Sequence, residues 1–205
     1  MQTPLVIGID PGFASFGWAM LTPDGEVVGL GVLRTAPSDK KAKVLASHDN
    51  VRRTRELARD FGALLDGRMP GKPEEYQHTP FGQAPSEGGA AVRLIAAESM
   101  SFPRNASAAS KMAMAWGMIV GAATLRDLPL VQASPQTVKK RICGDMKASK
   151  KDIENAMVAR YGQGLFRMLK GVPAGSHEHA FDALAVARAC LDSDEARMLR
   201  QMAKK

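Results

Sequence analysis

Cysteine is almost missing from this 205-residue chain: Cys143 and Cys190 are the two present, far apart and in no CxxC pair. A disulfide framework is therefore excluded, and both read as reduced, structural thiols in apolar or helical surroundings. Aromatic residues are also scarce, at 5 %, so the core must be aliphatic. Apolar runs stay below the roughly 18 residues that a membrane span requires. No basic stretch precedes the first strand-like run at Leu5. The expectation is a soluble, cytoplasmic protein with no membrane partner. Gly12, Ser15 and Gly17 suggest a phosphate cradle, but the segment lacks both the GK[ST] ending and the GxGxxG spacing that nucleotide loops use.

Positive charge is in excess. The net charge is +7 and the pI about 9.6, which favours a polyanionic partner, nucleic acid before membrane. Many ordinary enzymes are as basic, so charge alone selects no function. The length suits one domain with a full hydrophobic core.

Residues 4–10, 16–22 and 26–33 are short apolar runs separated by Asp10-Pro11-Gly12 and Thr22-Pro23-Asp24-Gly25. They predict three strands in an antiparallel meander. From Lys43 to Leu65 the apolar residues Val44, Val51, Ala58, Phe61 and Leu65 recur at helical spacing. Composition then shifts to Gly, Pro, Ser, Glu and Gln over 67–91, which reads as a long exposed loop. Residues 92–97 form another strand, ending at Glu98.

Residues 105–125 form a long Ala/Met/Ile helix, with Asn105 or Ser107 as cap and no acid before Asp127. So apolar a helix should be buried on more than one face, against the sheet and against a second subunit. A strand over 128–133 leads to Ser134-Pro135, with proline opening a helix. Ser149 starts another helix running to Tyr161, and Ser176 is the expected cap of one ending near Cys190. The order predicts an α/β fold with a mixed sheet flanked by helices. Residues 1–192 would make one domain, with the 67–91 loop inserted and 193–205 a basic helical tail.

Four side chains could carry chemistry. Asp10 and Glu98 both end strands, and His179 and Asp182, three apart, share one helical face. Carboxylates converging from several elements suit a hard divalent cation, and a pair of such ions can activate water against a phosphodiester. Singly, each has a plainer reading, as a turn residue, a surface acid or a helix-terminal charge. The segment 139–151 adds Lys139, Lys140, Arg141, Lys147, Lys150 and Lys151 against one acid, Asp145. Clustered cations neutralise phosphates, although the same pattern also describes a solvated helix face.

Five segments in order resemble the RuvC family of Holliday junction resolvases, in the RNase H-like superfamily. They are GIDPG, IAAES, NASAASKMAMAWG, TVKKRICGDMKASKKDI and HAFDALAVA. The resemblance implies a five-stranded mixed sheet of the RNase H-like fold. Asp10, Glu98 and Asp182 would bind two Mg²⁺ or Mn²⁺ ions. His179, where relatives commonly carry Asp, would be the fourth active-site residue, a metal ligand or an aid to the water. Lys139 and Lys150 match basic positions that meet phosphate or transition-state charge. Cleavage would leave a 5′-phosphate and a 3′-hydroxyl.

The family acts as a homodimer on four-way junctions, and the apolar helix over 105–125, with Met112, Trp116 and Ile119, is the candidate for part of the interface. Relatives often carry an aromatic three residues after the glutamate to wedge into the junction. Here Ser101 holds that place, and Phe102 and Arg104 beside it are the expected DNA contacts. The 67–91 loop replaces a short connection. Two other readings compete: a non-catalytic protein that binds branched nucleic acid, and an actin-like or sugar-kinase ATPase, whose folds also open on an IGIDxG strand but need a second domain.

Overall fold

The computed structural model describes residues 4–67, 91–100 and 105–203. The meander forms as expected: β1 (Pro4–Asp10), β2 (Ser15–Leu21) and β3 (Val27–Arg34) pair antiparallel in sequence. β4 (Ala91–Glu98) and β5 (Leu130–Ala133) add in parallel on the other side of β1. The sheet order is β3-β2-β1-β4-β5, a five-stranded mixed sheet.

Helices cover both faces. On one lie α1 (Ala46–Leu65) and α2 (Ala106–Leu125). Leu57, Phe61, Trp116 and Ile119 pack there on Ile7, Ile9, Phe16 and Trp18. On the other lie α3 (Pro135–Cys143), α4 (Lys150–Tyr161), α5 (Gly164–Met168) and α6 (His177–Cys190), packed on Val6, Ala19 and Leu94. α7 (Asp194–Ala203) docks through buried Ala196, and Arg200 hydrogen-bonds to the Pro23 carbonyl.

Helix starts follow local chemistry. The side chains of Asn105, Ser134 and Ser149 each accept a backbone N–H of the first turn, and Asp152 returns a bond to Ser149 to close a capping box. Ser176 departs from expectation. It is buried in a short 3₁₀ turn over Ala174–Ser176, and its side chain makes no cap bond. α1 also starts three residues later than periodicity predicts, because Lys40–Ala42 forms a separate 3₁₀ turn ending in left-handed Lys43.

α2 differs most from its sequence pattern. Only Ala115, Trp116, Ile119 and Ala123 are buried, while Val120 is 47 % and Leu125 86 % exposed. Its 20 residues, at mean hydropathy 1.2, do reach the length and apolarity of a membrane span, contrary to the expectation of no such run. Its buried stripe nonetheless packs onto the sheet as one side of a core.

The two thiols are free, and burial pushes Cys190 up to about 11 and Cys143 upward. The predicted 67–91 loop lies outside the described residues, apart from its two ends.

Candidate active site

Strand alternation aims both acids at one face. On β1 Leu5, Ile7 and Ile9 pack on the α1–α2 side and Val6 on the α6 side, so Gly8 and Asp10 continue the α6 side. On β4 Leu94 and Ala96 pack on the α6 side, and Glu98 follows them. The strands are parallel with Ile9 opposite Ala97. Asp10 and Glu98 therefore leave the sheet side by side, one strand spacing of about 5 Å apart.

α6 brings the remaining pair because the sheet beneath it carries glycine at the two points of closest approach. A Cβ on Gly17 would run into the His179 carbonyl, and one on Gly8 into the Ala183 carbonyl and Ala187. Both glycines let the helix lie almost on the backbone of β1 and β2. The first turns of α6 then stand over the end of β1. His179 Nδ1 lies 2.7 Å from Asp10 Oδ2, across 169 residues of chain.

The result is an open cleft of about 370 Å³ lined by Asp10, Glu98, His179 and Asp182, by Lys139 of α3 and Lys150 of α4, and by Met112 of α2. Its acids are crowded. Burial, followed by the charges of Asp10 and Asp182, pushes Glu98 up to about 7. Burial and then Asp10 push Asp182 up to about 6. His179 rises above its ordinary value, the bond to Asp10 outweighing burial. Burial pulls on the Lys150 ammonium, but its bond to Glu178 and the charge of Asp182 leave it raised.

Glu98 and Asp182 are held back from ionising by burial and by neighbouring carboxylates, a penalty that an added cation would relieve. Three carboxylates and an imidazole are a donor set that fits a hard divalent ion. Among the described residues no three His, Cys, Asp or Glu side chains already converge on one point as a closed metal site would. Asp10 is turned to His179 and Asp182 toward Lys150, 3.6 Å away.

Of the predicted basic residues over 139–151, Lys139 and Lys150 line the cleft and the others do not. Arg141 donates to the Ala189 carbonyl at 2.6 Å, beside a separate groove it shares with Arg160 and Arg188. Lys151 pairs with Glu154, and Lys140 and Lys147 are exposed. Phe102 and Arg104 lie outside the described residues. Glu178 went unread in the sequence, yet its Oε2 is 2.8 Å from Lys150 Nζ and its Oε1 4.0 Å from His179 Nε2. Its signal was available, as the acid between the two histidines of HEH.

The family model of the crossover junction endodeoxyribonuclease RuvC matches residues 90–190. A crossover junction endodeoxyribonuclease RuvC of Pseudothermotoga lettingae is 25 % identical over 186 residues, covering 89 % of this chain and 91 % of its own length. The chain is thus similar to RuvC proteins over most of its length. The fold agrees with this likeness. A structure of RuvC from Thermus thermophilus superposes with a TM-score of 0.60 at 20 % identity, over 97 % of this chain and 95 % of that one. The same organism's RuvC in complex with a Holliday junction substrate gives 0.61 at 21 %, over 90 % and 91 %. The five-stranded mixed sheet with flanking helices is thus the RNase H-like fold of the RuvC proteins.

Proposed function

We propose that this chain is a structure-selective endodeoxyribonuclease that resolves Holliday junctions and related branched DNA by symmetric, metal-dependent hydrolysis. The observation that carries the reading is one cleft, holding Asp10, Glu98, His179 and Asp182 opposite Lys139 and Lys150, in a chain whose relatives are crossover junction endodeoxyribonucleases.

Asp10, Glu98, Asp182 and His179 would hold two divalent ions, Mg²⁺ or Mn²⁺, which when bound supply an activated water and stabilise the leaving oxygen. The carboxylates of Glu98 and Asp182 must lose their protons to do so, and their raised values place that loss close to neutral pH. His179 stays hydrogen-bonded to Asp10 and fixes its rotamer. Lys139 and Lys150 meet the scissile phosphate and its developing charge. Hydrolysis leaves a 5′-phosphate and a 3′-hydroxyl.

Lys140, Arg141, Lys147 and Lys151, together with Phe102 and Arg104, would make further contacts to the DNA. Two symmetric cuts require two sites, and a homodimer through the exposed face of α2 supplies them. Support for that face comes from Val120 and Leu125, which are exposed, and from Gly117 and Gly121, where an added Cβ would meet nothing within 4 Å. A cytoplasmic location fits a protein that works on branched DNA.

The test is a labelled mobile four-way junction, a fork and a linear duplex, each with Mg²⁺ or with chelator. The expected result is paired nicks in the junction with Mg²⁺ alone. Equal cutting of linear duplex, or junction binding without any Mg²⁺-dependent nick, would overturn the proposal.

A further inference from the structure

Arg53 of α1 is 4 % exposed, although no carboxylate among the described residues hydrogen-bonds to it. Asp49, the acid whose charge acts on it most, is bonded to Ser38 and Arg52. A buried cation without a bonded counter-ion is expensive, and an apolar side chain of similar volume would fill the same space at lower cost. Its partners give the reason for keeping it.

Arg53 Nε donates to Thr35 Oγ1 at 3.0 Å, and its guanidinium stacks 4.5 Å from the centre of the Phe13 ring. The Thr35 hydroxyl has one proton, and it goes to the Phe13 carbonyl at 2.8 Å. The Thr35 N–H donates to the Ala14 carbonyl at 3.1 Å. Phe13 and Ala14 belong to the turn between β1 and β2, which begins at Asp10, and Gly12 N–H closes back on the Asp10 carbonyl at 2.8 Å. Three separate segments, α1, the end of β3 and this turn, are therefore locked by directional bonds that run in one order. The lock sits beneath the turn, on the α1 side, while Asp10 faces the cleft.

We infer that Arg53 and Thr35 are positioning residues that hold the Asp10–Ser15 turn, and through it the direction in which Asp10 offers its carboxylate to a divalent cation. This rests on the metal-dependent reading of the cleft. A ligand displaced by about an ångström loses much of its effect on a reaction, so rigidity at this turn bears on ion affinity and rate more than on DNA affinity.

The experiment compares wild type, Thr35→Val, Arg53→Lys and Arg53→Met with a destabilised control, Leu65→Ala, whose side chain packs at the far end of α1. Thr35→Val keeps the volume and removes only the relay hydroxyl, so it answers the question even where Arg53→Met does not fold. The readouts are Mn²⁺ affinity by calorimetry on the DNA-free protein, single-turnover junction cleavage, junction affinity in chelator and melting temperature.

Thr35→Val is expected to weaken Mn²⁺ binding about fivefold and slow cleavage about tenfold, with junction affinity within about twofold. Arg53→Lys should fall between it and wild type. Leu65→Ala should lower the melting temperature without moving Mn²⁺ affinity. The inference fails if folded Thr35→Val binds Mn²⁺ as wild type does, or if Leu65→Ala weakens Mn²⁺ binding equally. A wild type that binds Mn²⁺ but cuts no junction sinks the nuclease reading alone, since the Mn²⁺ comparison still decides the role of the lock. A wild type that binds no Mn²⁺ sinks both.

Discussion

His179 Nδ1 and Asp10 Oδ2 are 2.7 Å apart, joining the first turn of α6 to the end of β1. The contact closes the cleft on one side and ties a neutral-to-cationic ring to a group expected to bind metal. Replacing Asp10 by Asn keeps the shape of this contact and removes the charge. Mg²⁺-dependent junction cleavage should fall by about 100-fold or more, with binding of the intact junction in chelator nearly unchanged. Gel-based cleavage alongside a binding titration checks it, and near-normal cutting by Asp10→Asn would remove the residue from the site.

Glu98 makes the metal-free protein sensitive to pH. Its folded value, about 7, lies above the ordinary 4.5 because burial and then the charges of Asp10 and Asp182 oppose ionisation. The folded state thus holds its proton more tightly than the unfolded chain does. The associated stability is fully present below about pH 4.5 and is lost as pH rises through about 7. Between pH 5 and 8 the metal-free melting temperature should drop by roughly 2–5 °C from this group, and Glu98→Gln should flatten the change. The same ionisation makes apparent Mg²⁺ affinity fall as pH drops below 7. Scanning calorimetry at several pH values, in chelator and in Mg²⁺, reads both effects.

Lys150 is held 2.8 Å from Glu178 and 3.6 Å from Asp182. Exposed pairs contribute little stability, so the effect belongs in the reaction. Lys150→Met should slow single-turnover cleavage by about tenfold and Glu178→Gln by about threefold. In the Lys150→Met background, Glu178→Gln should add nothing, because its partner is gone. Losses that simply multiply would show that Glu178 acts on something else.

Two glycines on different elements should behave oppositely. Gly17→Ala drives a methyl into the His179 carbonyl and should cost about 1–3 kcal/mol in urea denaturation, with reduced cleavage as α6 is pushed off the sheet. Gly117→Ala, on the outer face of α2 with nothing within 4 Å, should stabilise the isolated fold by about 0.5–1 kcal/mol. Equal effects would mean that the close approach of α6 is not what Gly17 permits.

Val120 is 47 % exposed on the apolar outer face of α2. If that face joins two subunits, Val120→Arg should convert a dimer to monomers in sedimentation while circular dichroism stays unchanged. Paired nicking of a junction should then become single nicking. A variant that remains dimeric would place the interface elsewhere.

The strand ends were readable because short apolar runs stop at Asp10 and Glu98, and the caps at Asn105, Ser134 and Ser149 follow from short polar side chains before helical runs. Ser176 misled for a local reason. It precedes a helix in the right place, but a 3₁₀ turn over Ala174–Ser176 rotates its hydroxyl out of reach of the first N–H groups. The basic run over 139–151 read as one patch. In three dimensions it divides, since α3 and α4 are separate helices: Lys139 and Lys150 point into the cleft, Arg141 turns to the Ala189 carbonyl and Lys151 to Glu154.

By itself the sequence determined which residues could carry metal chemistry, the order of strands and helices, and the family resemblance, because these depend on residue type and short-range spacing. Only the tertiary structure decided that Asp10 and Glu98 share a face of the sheet with α6, that Glu178 holds Lys150, and that Arg53 locks the turn behind Asp10 through Thr35. Each of those depends on strand register or on a contact between distant segments. A register shift of one residue would turn the same acids away from His179 and Asp182 without changing a letter of the sequence.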